Sequence, residues 1–411
     1  MGRETKKFLN TALGYNNGLL HLAPSWVPRA FCIPGRRLRL HPDDLFALGA
    51  ARGGIDERWF ASTVRADNGP GTPDDEGLSY AVAGKEKMLL KTLIEEEGPD
   101  ILGNSIMSKW GGWKVFAKFF DNMEPLPHHV HVDHDYARQI GAEGKPEAYY
   151  FPAQYNFQPD SFPYTFFGLE PGTSREELKR CLAAFDKGDN KILDLTRAYR
   201  LELGTGWLIP PGILHAPGSL CTFEPQWASD VYMMFESLPS GKPIDKALFF
   251  KDIADNKKDD LDHIIGSLNW ELNIVPDFKA RFFLPPVEIK NSSPDSFLEK
   301  WVVYGRIGGN EVFSAKELTV YSGVKVTIRD TGPYGMLIIQ GHGKLNDIQA
   351  ESPTMIRFGD LTRDEFFIPY DTAVKGVTIH NTGYEPLVML KYFGPDSNPD
   401  MPDKGITRKV I

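Results

Sequence analysis

Short apolar runs broken by turn-forming residues dominate this chain, and that punctuation constrains the fold more than any other feature. Glycine and proline together supply 39 and 31 of its 411 residues. Over residues 1 to about 240 these runs are rich in aromatics and have the length of strands in a sandwich or barrel. One stretch differs. Ser174 followed by Glu177 forms a capping box ahead of Leu178, Cys181, Leu182 and Phe185, whose spacing puts them along one helical face and predicts a helical insertion at about 173–200. Residues 241–284 carry Asp and Lys clusters around Leu248, Phe249, Ile253, Leu261, Ile264 and Leu268, which predicts one or two amphipathic helices linking two domains. From 285 to 411 short β runs return, among them Leu318 to Ile328, Gly335 to Gln340, Val377 to Ile379 and Leu387 to Phe393. A second β domain is expected there.

The formal net charge is -9, and no segment concentrates Lys and Arg, so a nucleic-acid partner is not expected. Cys32, Cys181 and Cys221 are widely spaced and lack a CxxC pair, which argues against both a disulfide framework and a thiolate zinc site. The first ten residues are charged, and no window reaches the ~20 apolar residues of a membrane span. The reading is a cytoplasmic protein acting on a small molecule. Nothing in the sequence speaks to its oligomeric state.

The chemistry concentrates in Leu126 to Tyr150, LPHHVHVDHDYARQIGAEGKPEAYY. His129 and His131 are separated by one residue, so on a strand both side chains leave the same face and can meet one ion. Glu147 opens the next apolar run, and a hairpin with a long loop would bring it beside the pair. A fourth donor comes from Gly204 to Gly218, where Pro210 and Gly212 stiffen a turn that presents His215. Three imidazoles and a carboxylate suit zinc, manganese, iron, nickel or cobalt. His128 and His134 face away from the pair on an ideal strand and are expected at the surface.

These words resemble the two motifs of the cupin superfamily, an HxH pair with a following Glu and a Gly, Pro, Gly, His turn. Within it they are similar to type I mannose-6-phosphate isomerases. The corresponding words are FAKFF from Phe116, LPHHVHV from Leu126, GKPE from Gly144 and IPPGILHA from Ile209. Glu57, Trp59 and Ser62 match an early Glu-x-Trp-x-x-Ser segment, and Ala228 to Asp230 also corresponds, so the likeness spans about 55–236. The resemblance implies a mainly β fold of two cupin-type jelly-roll barrels with a helical insertion and a helical linker. The metal-binding barrel would fall in residues 1–240 and a ligand-poor one in 285–411.

It further implies one divalent metal, zinc first, held by His129, His131, Glu147 and His215. Lys118 and Lys145 fall on substrate-contacting lysines, and Glu224 on an acidic residue nine positions beyond the last ligand. There are departures: Pro127 and Val132 replace a serine and a proline, and Met234 stands where the family has an arginine. Methionine can pair with neither a phosphate nor a developing enediolate.

The implied activity is aldose–ketose isomerisation of a sugar or sugar phosphate through a cis-enediol, with Glu224 as proton carrier. A cupin dioxygenase using the three-histidine, one-glutamate set, or a sugar-binding cupin without catalysis, are the alternatives. Trp110, Trp113, Tyr149, Tyr150 and Trp207 are candidates for stacking on sugar faces, with core packing the plainer account. Arg29, Arg36, Arg37 and Arg39 read as solvated surface residues, with a substrate cation among them as the alternative. In the second barrel Tyr370 to Val374 offers no histidine ligand, and His342 and His380 read as structural.

Overall fold

The computed structural model describes residues 2–156, 162–290, 292, 293 and 295–404. The chain is mainly β, as the punctuation predicts, with its strands in four sheets, and each sheet is an open strand order among the described residues. A seven-stranded sheet runs Phe283–Leu284, Gly206–Ile209, Glu147–Tyr150, Thr222–Trp227, Val115–Phe120, Ile55–Phe60 and Ser25–Pro28. A five-stranded sheet runs Thr196–Arg200, Tyr164–Leu169, His215–Ala216, His129–Val130 and Met233–Met234. The C-terminal half builds a four-stranded sheet and most of a nine-stranded one.

Period-two alternation explains how the seven-stranded sheet can be buried on both faces. From Val115–Phe120, the residues Val115, Ala117 and Phe119 enter a core shared with Leu337, Phe367 and Leu390 of the nine-stranded sheet. Phe116, Lys118 and Phe120 leave the opposite face, where both aromatic rings are buried in other clusters. Thr222–Trp227 behaves alike: Phe223 and Trp227 join the shared core, while Glu224 pairs in register with Lys118. Across from this inner face stands the five-stranded sheet. Its outer face carries Val130 and Met233, packed under Leu178, Leu182 and Phe185 of the insertion and Phe249 and Ile264 of the linker.

The insertion helix is Arg175–Ala183, with both halves of the Ser174–Glu177 capping box formed. The linker differs from the expectation of one or two helices. It holds four short ones, Lys246–Phe249, Leu261–Ile265, Trp270–Asn273 and Phe278–Phe282. Their frequent Asp and Asn caps, Asp245, Asp260 and Asn269, each restart a helix after a turn. In the C-terminal half the expected run Leu318 to Ile328 is two strands, Ser314–Val320 and Lys325–Ile328, whereas Leu387–Phe393 stands as read. The last residues of that half, 405–411, lie outside the described ones.

The N-terminal segment departs from its expected place. Leu20–Ala23 pairs with Glu365–Ile368, and Tyr80–Ala83 and Glu86–Leu89 follow it, so three N-terminal strands complete the sheet of the C-terminal half. Two helices the sequence reading passed over, Gly2–Tyr15 and Leu90–Leu102, pack beside them.

The two largest sheets are pinned by charge as well as by apolar packing. Arg58, 1% exposed, donates two hydrogen bonds to Asp364 at 2.8 and 2.9 Å, and Asp364 is fully buried. Replacing Asp364 by Ala leaves the guanidinium buried beside Glu365 alone, and the expected loss is about 3–5 kcal/mol of unfolding free energy. Urea unfolding of the Asp364→Ala protein measures it, and a loss below about 1 kcal/mol, the range of a solvated surface pair, would show that water reaches the pair.

Candidate metal and sugar site

His129 and His131 leave the inner face of the five-stranded sheet together, and His215 pairs directly with His129 in register. Their rings lie 4.3–5.1 Å apart between centroids, and one nitrogen from each falls within 4.8 Å of the others. Each Nδ1 is committed to a backbone carbonyl: His129 to Pro127 at 2.7 Å, His131 to Val231 at 2.7 Å and His215 to Ile213 at 2.8 Å. A carbonyl only accepts, so each Nδ1 carries the hydrogen and each Nε2 keeps a lone pair. Burial first, then the neighbouring imidazoles, hold His129 well below the usual histidine range. Burial likewise pushes His131 down to about 4. Neutral rings with oriented Nε2 atoms are what a metal needs from histidine.

Glu147 reaches the same point from the other sheet. The expected hairpin between it and the histidine pair does not form. Its strand pairs instead with Gly206–Ile209 and Thr222–Trp227, and the carboxylate crosses the gap between sheets. Oε1 lies 3.0 Å from His215 Nε2, and Oε2 lies 3.1 Å from His131 Nε2. The Tyr149 hydroxyl donates to Oε1 at 2.7 Å and fixes the carboxylate plane. Burial works against this charge, yet Lys145 favours it from 3.0 Å and the carboxyl is held well below its usual range. His215 Nε2 is buried without a hydrogen-bond partner among the described residues, and both Glu147 oxygens point at histidine Nε2 atoms. Unsatisfied donors of this kind, converging in a dry place, fit a divalent cation.

A row of buried charges runs from this cluster along the inner face of the seven-stranded sheet. Lys145 Nζ is 3.0 Å from Glu147 and 3.4 Å from Glu224, and Lys118 Nζ is 3.4 Å from Glu224 and 3.1 Å from Glu57. Arg29 then lies 3.2 Å from Glu57 and 3.0 Å from Asp230. Glu224 is 2% exposed rather than a solvated rim carboxylate. Burial and the charge on Glu147 push it up to about 8. Burial also opposes the charge on Lys118, but Glu224 and Glu57 hold the ammonium above its usual range.

Several expectations change. His128 is not at the surface: it is buried, and Glu236 accepts from its Nδ1 at 2.7 Å. His134 is exposed, as read, beside Trp227. Arg29 is not solvated, being 3% exposed, and Arg37 is bound to Asp121. Arg39 is half-buried over the Tyr155 ring, while Arg36 is exposed. Of the aromatic candidates, Trp207 and Trp113 are core, and Tyr150 donates to Glu317 on the far face. Trp110 packs on Trp227, and its indole donates to Asp396. Tyr149 serves the carboxylate. Sequence reasoning missed the orienting carbonyls and left Glu57 and Asp230 without a role, although the matched words already marked both.

The arrangement of sheets and helices is that of solved mannose 6-phosphate isomerases. Among solved structures it is similar to the mannose 6-phosphate isomerase of Bacillus subtilis, with a TM-score of 0.61 and 18% identity over 91% of this chain and 99% of that one. A putative mannosephosphate isomerase from Archaeoglobus fulgidus aligns with a TM-score of 0.60 and 14% identity, covering 91% of this chain and 98% of the other. A mannose 6-phosphate isomerase bound with zinc and yttrium aligns with a TM-score of 0.57 at 13% identity, over 92% and 99%. No protein-family model matches the chain, and no curated protein matches it.

Three histidines can hold a metal here, and its loss is measurable without any substrate. Zinc at about 1,000 times its dissociation constant is expected to raise the unfolding free energy by about 4 kcal/mol. In the His215→Ala protein the rise should vanish and elemental analysis should find less than one zinc per chain. An equal thermal shift in both proteins would place the ion elsewhere.

Proposed function

We propose that the chain is a metal-dependent aldose–ketose isomerase acting on a sugar or sugar phosphate, with His129, His131, Glu147 and His215 holding one divalent ion, zinc first. The reading includes two jelly-roll units, a metal-binding one formed by the seven- and five-stranded sheets and a ligand-poor one in the C-terminal half. The observation that carries it is Glu224: a buried carboxylate between two lysines, one of which touches the metal-type cluster, in a chain with the fold of mannose-6-phosphate isomerases.

When bound, the ion would polarise the carbonyl and neighbouring hydroxyl and favour charge that appears only as the α-proton leaves. The protein's own groups do the rest. Glu224 takes the proton from one carbon and returns it to the next, a role open to a carboxylate poised near neutrality in a dry site. Lys118 and Lys145 hold the substrate oxygens and favour the anionic form of Glu224 against burial and Glu147. Glu57 and Arg29 fix Lys118, since an ammonium buried without carboxylates would be costly. Tyr149 keeps Glu147 directed at the histidines.

The test is proton exchange. Zinc-loaded protein in D2O should place deuterium at C2 of an aldose or C1 of the matching ketose. Glu224→Gln should retain zinc and lose exchange by about 10²- to 10⁴-fold, the worth of a positioned acid–base group. An unchanged rate in that variant would remove Glu224 from the mechanism. Purified protein that carries iron and consumes oxygen with a substrate would replace the isomerase reading by an oxidoreductase one.

A further inference from the structure

We propose that this centre takes an uncharged sugar and discriminates against its phosphate ester. The inference deepens the isomerase reading and rests on it for the location of the sugar. It is carried by the state of the cations around the cluster. Among the described residues, the three cations ion-paired within this row each already have two carboxylates: Lys145 has Glu147 and Glu224, Lys118 has Glu224 and Glu57, and Arg29 has Glu57 and Asp230. Three cations thus stand against four carboxyl groups, and none of the three is left without a carboxylate. A phosphate dianion would find no cation left over, and would have to break a buried ion pair to gain one.

The position beside the first histidine strengthens this. Met234 is paired with His129 in register, so its side chain leaves the same face, and it is 2% exposed. An arginine there would offer a fork of donors to a phosphate; a thioether offers none.

The neighbouring cavity has the same character. About 600 Å³ in volume, it is bounded in part by Phe31, Asn68, Tyr232 and Lys251. Its lining meets the end of the row farthest from the histidines, where Asn68 accepts from Arg29 at 2.9 Å, and it includes Tyr232, the chain neighbour of the Val231 carbonyl that orients His131. The volume lies within the range for small-molecule sites of about 300–1,000 Å³. Its cations are also engaged: Lys251 is 2.9 Å from Asp67 and 3.2 Å from Asp252, and Arg52 is 2.6 Å from Glu76. Lys242 is the exception, an exposed side chain whose ammonium donates to the carbonyl of Ala30 at 2.5 Å. Hydroxyl groups suit such a lining, because each can donate to a carboxylate and accept from its ammonium without separating them.

The experiment compares equilibrium binding to the zinc-loaded full chain across a panel of pentoses and hexoses and their terminal phosphate esters, with deuterium exchange followed in parallel. At least one free sugar is expected to bind about tenfold or more tightly than its ester, a difference of one charge-assisted hydrogen bond. Tighter or equal binding of the esters, or binding of neither class, overturns the inference. The isomerase reading is judged separately. Binding of a free sugar without exchange removes that reading and leaves this one, whereas exchange confined to esters does the reverse. Met234→Arg should narrow the preference by raising affinity for the esters about tenfold; if that variant does not fold, the wild-type ratio alone decides.

Discussion

The rest of the structure depends on three hydrogen bonds from histidine Nδ1 atoms to backbone carbonyls. A buried imidazole is tolerated only when its polar atoms have partners, and Pro127, Val231 and Ile213 satisfy one nitrogen on each ring. What remains is a set of three lone pairs aimed inward from one sheet. Because the carbonyls belong to the strands and turns themselves, the rings cannot reorient without disturbing the backbone. The donor set is therefore arranged in advance by the fold, which lowers the ordering cost of binding an ion.

The second constraint is electrostatic. Removing a charge from water costs several kcal/mol even after relaxation, so a buried lysine or arginine needs close anionic neighbours. The inner face of the seven-stranded sheet meets this by alternating sign along a line, from Glu147 through Lys145, Glu224, Lys118, Glu57 and Arg29 to Asp230. Each member other than Glu147 and Asp230 touches two opposite charges, so a change at one link reaches the next. The opposite face of the same strands, apolar apart from polar pins such as that between Arg58 and Asp364, joins the nine-stranded sheet. One set of strands thereby supplies both the foundation and the chemistry, and the strict period of two keeps them apart.

The legible parts of this site were those encoded locally. His129 and His131 share a face because strand geometry alone requires it, and the turn around Pro210 and Gly212 presents His215 by the chemistry of its own residues. Glu147 was named as a donor but given the wrong route, since a sixteen-residue separation suggests a hairpin while the actual neighbours of its strand lie near 208 and 225. Arg29 was misread for a related reason. Its partners Glu57 and Asp230 are far along the chain, and nothing near position 29 signals burial. The place of Leu20–Ala23 beside Glu365–Ile368 was equally hidden, because pairing across 340 residues leaves no local trace. Resemblance compensated where motif words carried long-range information, whereas strand geometry turned His128 away from the pair without revealing its burial against Glu236, over a hundred residues on.

The C-terminal half shows what happens to buried charge without an imidazole set. There Lys316 and Lys391 stand opposite one another in register, and Asp330 lies 2.9 and 2.7 Å from them. Glu299 lies 2.5 Å from Lys391, so this buried cluster also alternates in sign. Its cations are closed on their partners, with Trp301 and Phe393 rings over Lys316. The first centre differs in one respect: its row of charges ends on Glu147 beside three imidazoles, and His215 Nε2 among them has no hydrogen-bond partner among the described residues. A closed cluster can only hold the fold together, whereas a row that ends on open lone pairs can accept a cation and, beside it, the oxygens of a substrate. Burial and pairing are common to both halves, and the imidazole nitrogens at the end of one row are what separate a site from a staple.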